Sequence, residues 1–478
     1  MEPQPSSKRF DPLSNLPDSI FQQIISRLDI SDISRLSTLS KRCRKLCLSL
    51  PSLTISFNNS DYDFYPFSQF FYRFLSMHNG VSLQRLELNI SCDNLSISSD
   101  EIAFCIGTWI LQATKCNVVK IHLEIDTIES FTLPSCFVNC ASLRNLVLNL
   151  DNATLKLPTT SYWPLETLIL SQLKISNKLL GEWILRCESL KKLVLFAVSG
   201  IVRINISSSS LEYLRIEDIT ATKYLDIKIS TERLECLYIL WQVGKSAKHS
   251  LRLNAPKLQK FTWKGCVSYY SYEGDFESLR YADIVIIPTP SQNKAVANVT
   301  MAKVLETVHR VSWLRVDMFF IEVFFFFFKF LFPSLSFNYV VELMEEFHSL
   351  GALTLLLDDL AGKVPTLASF LKLTPHLNSL KISTSYSSDE NKSSYDAEYW
   401  EAQNLKFVKS LKEVEMEIHG KHNEIELIKY LLKHAKELEN MTVLYSSKVF
   451  PRHVAISRKL QQFRKASSSA SIYFLPNE

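Results

Sequence analysis

Along most of the chain the apolar residues recur as L-x-x-L-x-L. The pattern runs through Leu83-Leu86-Leu88, Val118-Ile121-Leu123, Leu143-Leu146-Leu148, Leu165-Leu168-Leu170 and Leu190-Leu193-Leu195. It continues at Leu211-Leu214-Ile216, Leu234-Leu237-Ile239 and Leu258-Phe261-Trp263, with degenerate copies at Leu279-Ala282-Ile284 and Val311-Leu314-Val316. From Leu143 to Leu279 the steps are 22, 25, 21, 23, 24 and 21 residues. The alternation inside each copy predicts a short strand whose second and third apolar positions point inward. One such unit cannot bury its apolar face alone, so neighbours must stack into a solenoid, with parallel strands along one face and irregular segments or helices along the other. Trp183 and Leu185, ahead of Leu190, predict the buried end of a segment on that second face. Later copies at Leu350-Leu353-Leu355, Leu377-Leu380-Ile382, Leu411-Val414-Met416 and Leu438-Met441-Val443 are spaced irregularly, and the polar run Ser383 to Asp396 predicts a surface loop.

The N-terminal region follows a different period. Ile20, Ile24 and Leu28 recur at i, i+4 and i+8, with Phe21 and Ile25 beside them, which predicts an amphipathic helix. Pro17 suits its first position, where a missing N–H costs nothing. Ser31 is a candidate N-cap for a second helix carrying Ile33, Leu36 and Leu39, and a third begins near Lys41. Three short helices are too small to bury this apolar surface by themselves, so part of it must pack on the rest of the chain or on a partner. Near the C-terminus, Leu411 to Ile418 and Leu438 to Leu444 alternate like strands. Between them Asn423 could cap a helix with Ile425, Ile428, Leu431 and Leu432 on one face.

Composition removes most chemistry. Apolar residues make up 46% of the chain, enough for a large core, and the net charge of +4 gives no strong field for nucleic acid or membrane. The 10 glycines form neither G-x-G-x-x-G nor a Walker loop, and G-x-S-x-G, H-E-x-x-H and C-x-x-C are all missing. No catalysis and no cofactor are therefore expected. The pairs Cys43/Cys47 and Cys136/Cys140 lack zinc-finger partners, so reduced thiols and no metal are expected. His419 and His422 beside Gly420 read as a polar turn, for lack of a third donor, and Lys41 to Lys45 reads as a solvated helix face. The polar residues Met1 to Phe10 hold no secretory h-region, which predicts a cytoplasmic or nuclear protein.

Leu16-Pro17-Asp18, Ile24-Ile25-Ser26-Arg27-Leu28, Leu39-Ser40-Lys41-Arg42 and Leu50-Pro51-Ser52-Leu53 together resemble the F-box in its plant form. Leu411-Lys412-Glu413-Val414-Glu415, Leu427 to Lys433, Leu438 to Thr442 and the tail Leu460-Gln461-Gln462-Phe463 resemble the FBD module of plant F-box proteins, and the repeat between fits a leucine-rich repeat, whose period is ~20–29 residues. The implied fold is α/β: a three-helix F-box over 11–57, a leucine-rich-repeat solenoid over 80–385 and a strand–helix–strand FBD module over 398–476. The resemblance implies docking on a Skp-type adaptor, and through it on a cullin, with Leu16, Pro17, Ile20, Ile24, Leu28 and Leu36 forming or supporting the adaptor-facing surface. Cys43 and Cys47 stand where many relatives carry Trp. The implied function is substrate recognition for a ubiquitin ligase, the solenoid binding an unknown protein through outward strand residues such as Lys192, Val194, Tyr213 and Arg215. The alternative is a repeat module that binds proteins outside any ligase.

One stretch, Phe319 to Val341, fits no repeat. Glu322, Lys329 and Pro333 interrupt it as a membrane span, since a charge at a helix centre costs ~2.5–3.5 kcal/mol. Five consecutive Phe also fit no two-faced strand. We read it as a translated pyrimidine-rich tract of non-coding origin, which predicts an exposed aromatic loop prone to aggregation.

Overall fold

A computed structural model describes residues 16–58, 63–78, 82–91, 98–126, 128–137, 140–158, 163–220, 224–241, 248–266, 269–287, 294–331, 346–357, 360, 363–384, 394–445, 450–463 and 465–476. At 248, 294–298, 324, 326–331 and 450–455 it describes the backbone alone. The chain folds as two compact units, one running to Val202 and taking in Ile219–Ala221, the other comprising Arg203–Asp218 and the chain from Thr222 on.

The first unit opens with helices α1 (Asp18–Ile25), α2 (Ile30–Leu39) and α3 (Lys41–Cys47). Pro17 sits at the N-cap of α1, one position before the first turn. Asp29, not Ser31, caps α2: its carboxylate accepts from the Asp32 N–H at 2.8 Å and from the Ser31 hydroxyl at 2.7 Å. A carboxylate is the stronger acceptor at a helix N-terminus and meets the positive end of the dipole. The Ser31 hydroxyl, and after it the Asp32 N–H, hold the Asp29 carboxyl below its ordinary range.

Six parallel strands follow in chain order, Ser52–Asn58, Arg85–Ser91, Lys120–Ile125, Asn145–Asn149, Thr167–Ser171 and Lys192–Phe196. Their register never slips, so Leu86, Ile121, Leu146, Leu168 and Leu193 share one rung and are all fully buried. A repeated hydrogen bond fixes it. Arg144 and Asn145 both donate to the Val119 carbonyl, Glu166 and Thr167 to that of Arg144, and Lys191 and Lys192 to that of Glu166, all at 2.8–3.1 Å. Each carbonyl thus uses both lone pairs to turn the chain into the next strand. The strand Ser52–Asn58 starts the stack ahead of the first repeat seen in the sequence, burying Leu53, Ile55 and Phe57.

Behind these strands lie α4 (Phe64–Ser76), α5 (Ser99–Lys115) and α6 (Asn177–Arg186). Phe64, Phe67 and Phe71 surround Trp109 with ring centroids 5.2–6.2 Å apart. On α6 the expectation for Leu185 is corrected: it is 63% exposed, while Leu180, Trp183 and Ile184 are buried. At 100° per residue Leu185 is carried past the inward stripe that those three share.

The larger sheet of the second unit has ten parallel strands among the described residues, Tyr213–Glu217, Cys236–Leu240, Lys260–Cys266, Tyr281–Ile287, Trp313–Asp317, Ala352–Leu357, Ser379–Thr384, Glu413–Ile418, Asn440–Tyr445 and Ser471–Pro476. The same bifurcated carbonyl recurs, for example at Glu235, Gln259, Arg280 and Ser312. Its early repeats are backed by a second parallel sheet, Arg203–Ser208, Tyr224–Thr231, Lys248–Asn254 and Tyr269–Tyr272. The inward alternation of Ile204 and Ile206, then Leu225, Ile227 and Ile229, then Leu251 and Leu253, favours strand over helix there. Beyond it the backing is helical, starting with α7 (Lys294–Val308) and α8 (Met318–Leu331).

Helix α8 holds the start of the Phe-rich tract. Met318, Phe320, Ile321 and Phe325 are buried, Asp317 accepts from the Phe320 N–H at 2.9 Å, and Glu322 pairs with Lys363. The first part of the tract is therefore a packed helix rather than an exposed loop. Residues 332–341 lie outside the described residues. Among the described residues no helix is long and apolar enough to cross a membrane. Of the polar run Ser383 to Asp396, Ser383 and Thr384 end a strand and 385–393 lie outside the described residues.

The strand–helix–strand reading near the C-terminus holds, as Glu413–Ile418, His422–His434 and Asn440–Tyr445, and its first strand pairs in register with Ser379–Thr384. Asn423 is not its cap. It is buried, and its side-chain oxygen accepts from the Tyr395 N–H at 2.8 Å. Glu424 does the capping, accepting from the N–H groups of His419 (2.8 Å) and Lys421 (2.9 Å). Burial pushes its carboxyl up to about 7 despite those donors. The unfolded chain loses this proton near 4.5, so Glu424 favours folding below that pH and the contribution is lost as pH rises toward 7. Glu424→Gln is expected to flatten the decline of melting temperature between about pH 4.5 and 7, read by circular dichroism at stepped pH. An unchanged slope would place the titration elsewhere.

Candidate functional site

Helix α1 has two apolar faces. Phe21 and Ile25 are buried, whereas Ile20 and Ile24 are each 42% exposed. A four-residue spacing stacks Ile20 and Ile24 on one side, and a shift of one residue rotates Phe21 and Ile25 onto another. Pro17 is exposed beside this face, and Leu16, Leu28 and Leu36 are half-buried. The Leu16 carbonyl accepts from the Arg42 guanidinium, which also pairs with Asp18 at 2.7 Å and lies 5.8 Å from the Phe21 ring centre. Arg42 thereby fixes the start of α1 against α3. Leu39, at the end of α2, is 67% exposed. It lies on the same helix as Ile33 and Leu36, as its spacing predicts, and immediately precedes Ser40, which caps α3 by accepting from the Cys43 N–H at 3.0 Å.

Cys47 is fully buried and Cys43 half-buried. Burial, with the neighbouring Cys43, pushes the Cys47 thiol up to about 11, so it stays protonated and serves as packing. Among the described residues no group of three or more His, Cys, Asp or Glu is placed to hold a metal. The His419 side chain is enclosed, with Nδ1 3.1 Å from the Thr384 hydroxyl and 3.8 Å from the Glu424 carboxylate.

The second set of expected binding residues lies on strands. In the first unit Lys192 is exposed and Val194 half-exposed between the buried Leu193 and Leu195. Val194 shares a rung with Ile169 and Val147, which makes an outward stripe of three β-branched or aliphatic side chains. In the second unit Tyr213 and Arg215 flank the buried Leu214. Arg215 stacks over the Tyr238 ring at 4.7 Å and its Nε donates to the Glu217 carboxylate at 2.6 Å. Further along the same row, Asp283 is paired with Lys264 at 3.0 Å and approached by Arg315 at 3.8 Å, and Tyr281 stacks on Trp313 at 4.0 Å. These residues were not singled out in the sequence. Tyr281, Asp283, Trp313 and Arg315 occupy the outward positions of the degenerate copies Leu279-Ala282-Ile284 and Val311-Leu314-Val316, and Lys264 directly follows Trp263 of the copy before them. Both sets are surfaces suited to binding.

Three family models match the chain. The F-box domain covers residues 13–54, the leucine-rich repeats described for the FBD-associated F-box protein At5g56370 cover 106–312, and FBD covers 406–443. Over 98% of its length the chain is 26% identical to the Arabidopsis thaliana F-box/FBD/LRR-repeat protein At4g03220, of which the match covers 96%. It is also similar to the Arabidopsis thaliana F-box/FBD/LRR-repeat protein At5g56420, 30% identical over 43% of this chain and 49% of that protein. A third relative, the Arabidopsis thaliana F-box/LRR-repeat protein 13, is 30% identical over 44% of this chain and 53% of its own length.

Proposed function

The chain belongs to the plant F-box/leucine-rich-repeat/FBD family, and from that premise we propose that it is the substrate-recognition subunit of a Skp–cullin–F-box ubiquitin ligase, acting in the cytoplasm or nucleus. The observation that carries this reading is the exposed Ile20/Ile24 face on a helix whose other apolar face, Phe21/Ile25, is already buried. Two exposed isoleucines one turn apart on a clamped helix are a cost without a partner to cover them. Leu16, Pro17, Leu28 and Leu36 border or support that face.

The chain's own contribution to ubiquitin transfer is proximity. The adaptor holds one end on the cullin scaffold, and the strand face holds a target so that its lysines meet the conjugating enzyme's thioester at high effective concentration. No side chain of this protein needs to enter the chemistry. The FBD module lengthens the strand stack that carries the target.

Capture of a Skp-type adaptor by the full chain tests the first half. A purified chain that captures none would leave the alternative, a repeat module acting outside a ligase. The second half is tested on the first unit. Lys192→Glu with Val194→Asp is expected to abolish target capture, followed by affinity capture and mass spectrometry with the proteasome blocked, while adaptor capture and melting temperature stay unchanged. Equal loss of folding would show that these positions are core, contrary to their exposure.

A further inference from the structure

We propose that the outer face of α5 in the first unit docks a second copy of this chain, antiparallel across a two-fold axis that passes between Gly107 and Thr108. The inference does not depend on the ligase reading. It adds a partner surface on the helical side of the unit, behind the strands.

Helix α5 turns Ile102, Ile106, Trp109, Ile110 and Ala113 into the core. Opposite them, in a sector about 60° wide at ~100° per residue, stand Asp100, Phe104, Leu111 and Lys115. Phe104 is 72% exposed and Leu111 41%. Beside them on α4, Tyr65 is 51% and Tyr72 41% exposed. The Tyr65 hydroxyl donates to Glu101 at 3.3 Å, and that of Tyr72 accepts from Gln112 Nε2 at 3.2 Å, so both tyrosines adjoin the α5 surface. At ~200 Å² for an aromatic side chain, the four residues leave about 400 Å² of apolar surface in water. That is as large as the largest apolar patch on an ordinary monomer, and it is about half of the ~800 Å² that each partner buries in a stable pair. The exposed Gln69 and Arg73 and the half-buried Thr108 supply a polar rim for the remainder.

The order of residues along α5 favours a second copy as the occupant. Asp100 with Lys115, and Phe104 with Leu111, form two pairs centred on the same point, between Gly107 and Thr108. Turning a second copy over about that point lays the two helices antiparallel, and a residue on one then faces its pair-mate on the other. Phe104 meets the second copy's Leu111, and Asp100 meets its Lys115. Among the described residues neither Asp100 nor Lys115 has an ion-pair partner within its own chain. Gly107 and Thr108 sit at the crossing, where small side chains let helices approach closely. Antiparallel packing also sets the two helix dipoles against each other favourably. The same rotation keeps α4 on one side of the axis in both copies, so the tyrosines extend the contact. Between them α4 and α5 carry two acids, Asp100 and Glu101, and two bases, Arg73 and Lys115, so two copies do not repel. A neutral face of this kind holds no attraction for a nucleic acid or an anionic membrane.

Sedimentation equilibrium of the full chain, loaded from about 1 to about 100 µM, is expected to show a pair with a Kd on the order of 10 µM. Phe104→Asp with Leu111→Asp should weaken it by about a hundredfold or more. Lys115→Asp should weaken it about fivefold, and adding Asp100→Lys should restore it, because the exchanged charges meet again across the axis. Thermal melts accompany every variant. Phe104→Ser with Leu111→Ser makes the same comparison should the aspartates lower the melting temperature. A chain that stays monomeric at the highest concentration, a pair that survives the loss of Phe104 and Leu111, or a loss at Lys115→Asp that Asp100→Lys leaves unrepaired would overturn the inference. Adaptor capture is scored in the same samples. A monomeric parent whose capture fails with Phe104→Asp and Leu111→Asp would give the face to the adaptor and overturn the inference as well. Capture without pairing defeats this inference alone, whereas pairing without capture defeats the ligase reading and leaves the paired surface intact.

Discussion

With Ile20→Ala and Ile24→Ala together, capture of a Skp-type adaptor is expected to weaken on the order of a hundredfold, with the melting temperature of the free chain nearly unchanged. Each isoleucine truncated at a well-packed interface costs ~1–2 kcal/mol, and ~1.4 kcal/mol is a factor of ten. Both side chains are 42% exposed in the free chain, so little folding energy is at stake. Ile25→Ala is the contrasting control. That residue is fully buried, and its truncation should cost about 2–5 kcal/mol of stability. Titration calorimetry of the adaptor against each variant, beside thermal melts, separates the two. If Ile20/Ile24 variants bind normally while Ile25→Ala binds poorly only because it unfolds, the exposed face is not the docking surface. Cys47 bears on the same measurement. It fills a fully buried position with a small thiol, so α3 presents no large side chain there and the measurement reads α1 and the residues around Leu16 and Pro17.

The repeat strands were legible because each carries its own signal. Inward leucines two apart, a third three residues earlier and a step of 21–25 residues leave few other readings, and Leu143, Leu165 and Leu190 are all buried. The backing elements were not legible to the same degree. Ile204/Ile206 and Leu225/Ile227/Ile229 alternate as clearly as any strand, yet they sit between the leucine motifs, where a helix or an irregular segment was equally open. Cap residues failed for a simpler reason. Ser31 and Asn423 have the right chemistry, but the helices start one residue before them, at Ile30 and His422, and the N–H groups at those starts are met by Asp29 and Glu424. The α1 surface was legible as a stripe, while its division into an exposed and a buried face depends on which side α3 covers, and that is tertiary information. The Asp283 patch was hidden because outward positions carry no periodic constraint. Lys264, Asp283 and Arg315 lie in separate repeats, and only the register brings them together.

Gly265→Ala is expected to destabilise the second unit by about 3–5 kcal/mol. Gly265 has φ +144°, a conformation L side chains rarely adopt. A Cβ there would stand 2.2 Å from Trp241 Cδ1 and 2.6 Å from the Trp241 carbonyl oxygen, both far inside van der Waals contact. Trp241 has nowhere to go. It is buried, stacks on His249 at 4.8 Å and meets Trp263 edge-on at 5.9 Å. The backbone strain costs ~1–3 kcal/mol, and overpacking this aromatic cluster adds a similar amount. His249 makes the loss visible in a second way. Burial holds its imidazole below the ordinary 6.5, so its contribution to folding is present above that pH and is lost as pH falls through the folded value. In Gly265→Ala, where the cluster is forced apart and His249 meets water, that acid-side loss should shrink. Urea unfolding at pH 7.5 and 5.5 measures both effects. A Gly265→Ala chain as stable as the parent at pH 7.5 would show that the cluster can shift to admit a methyl group, and the close approach of Trp241 to this glycine would then be no constraint on the fold.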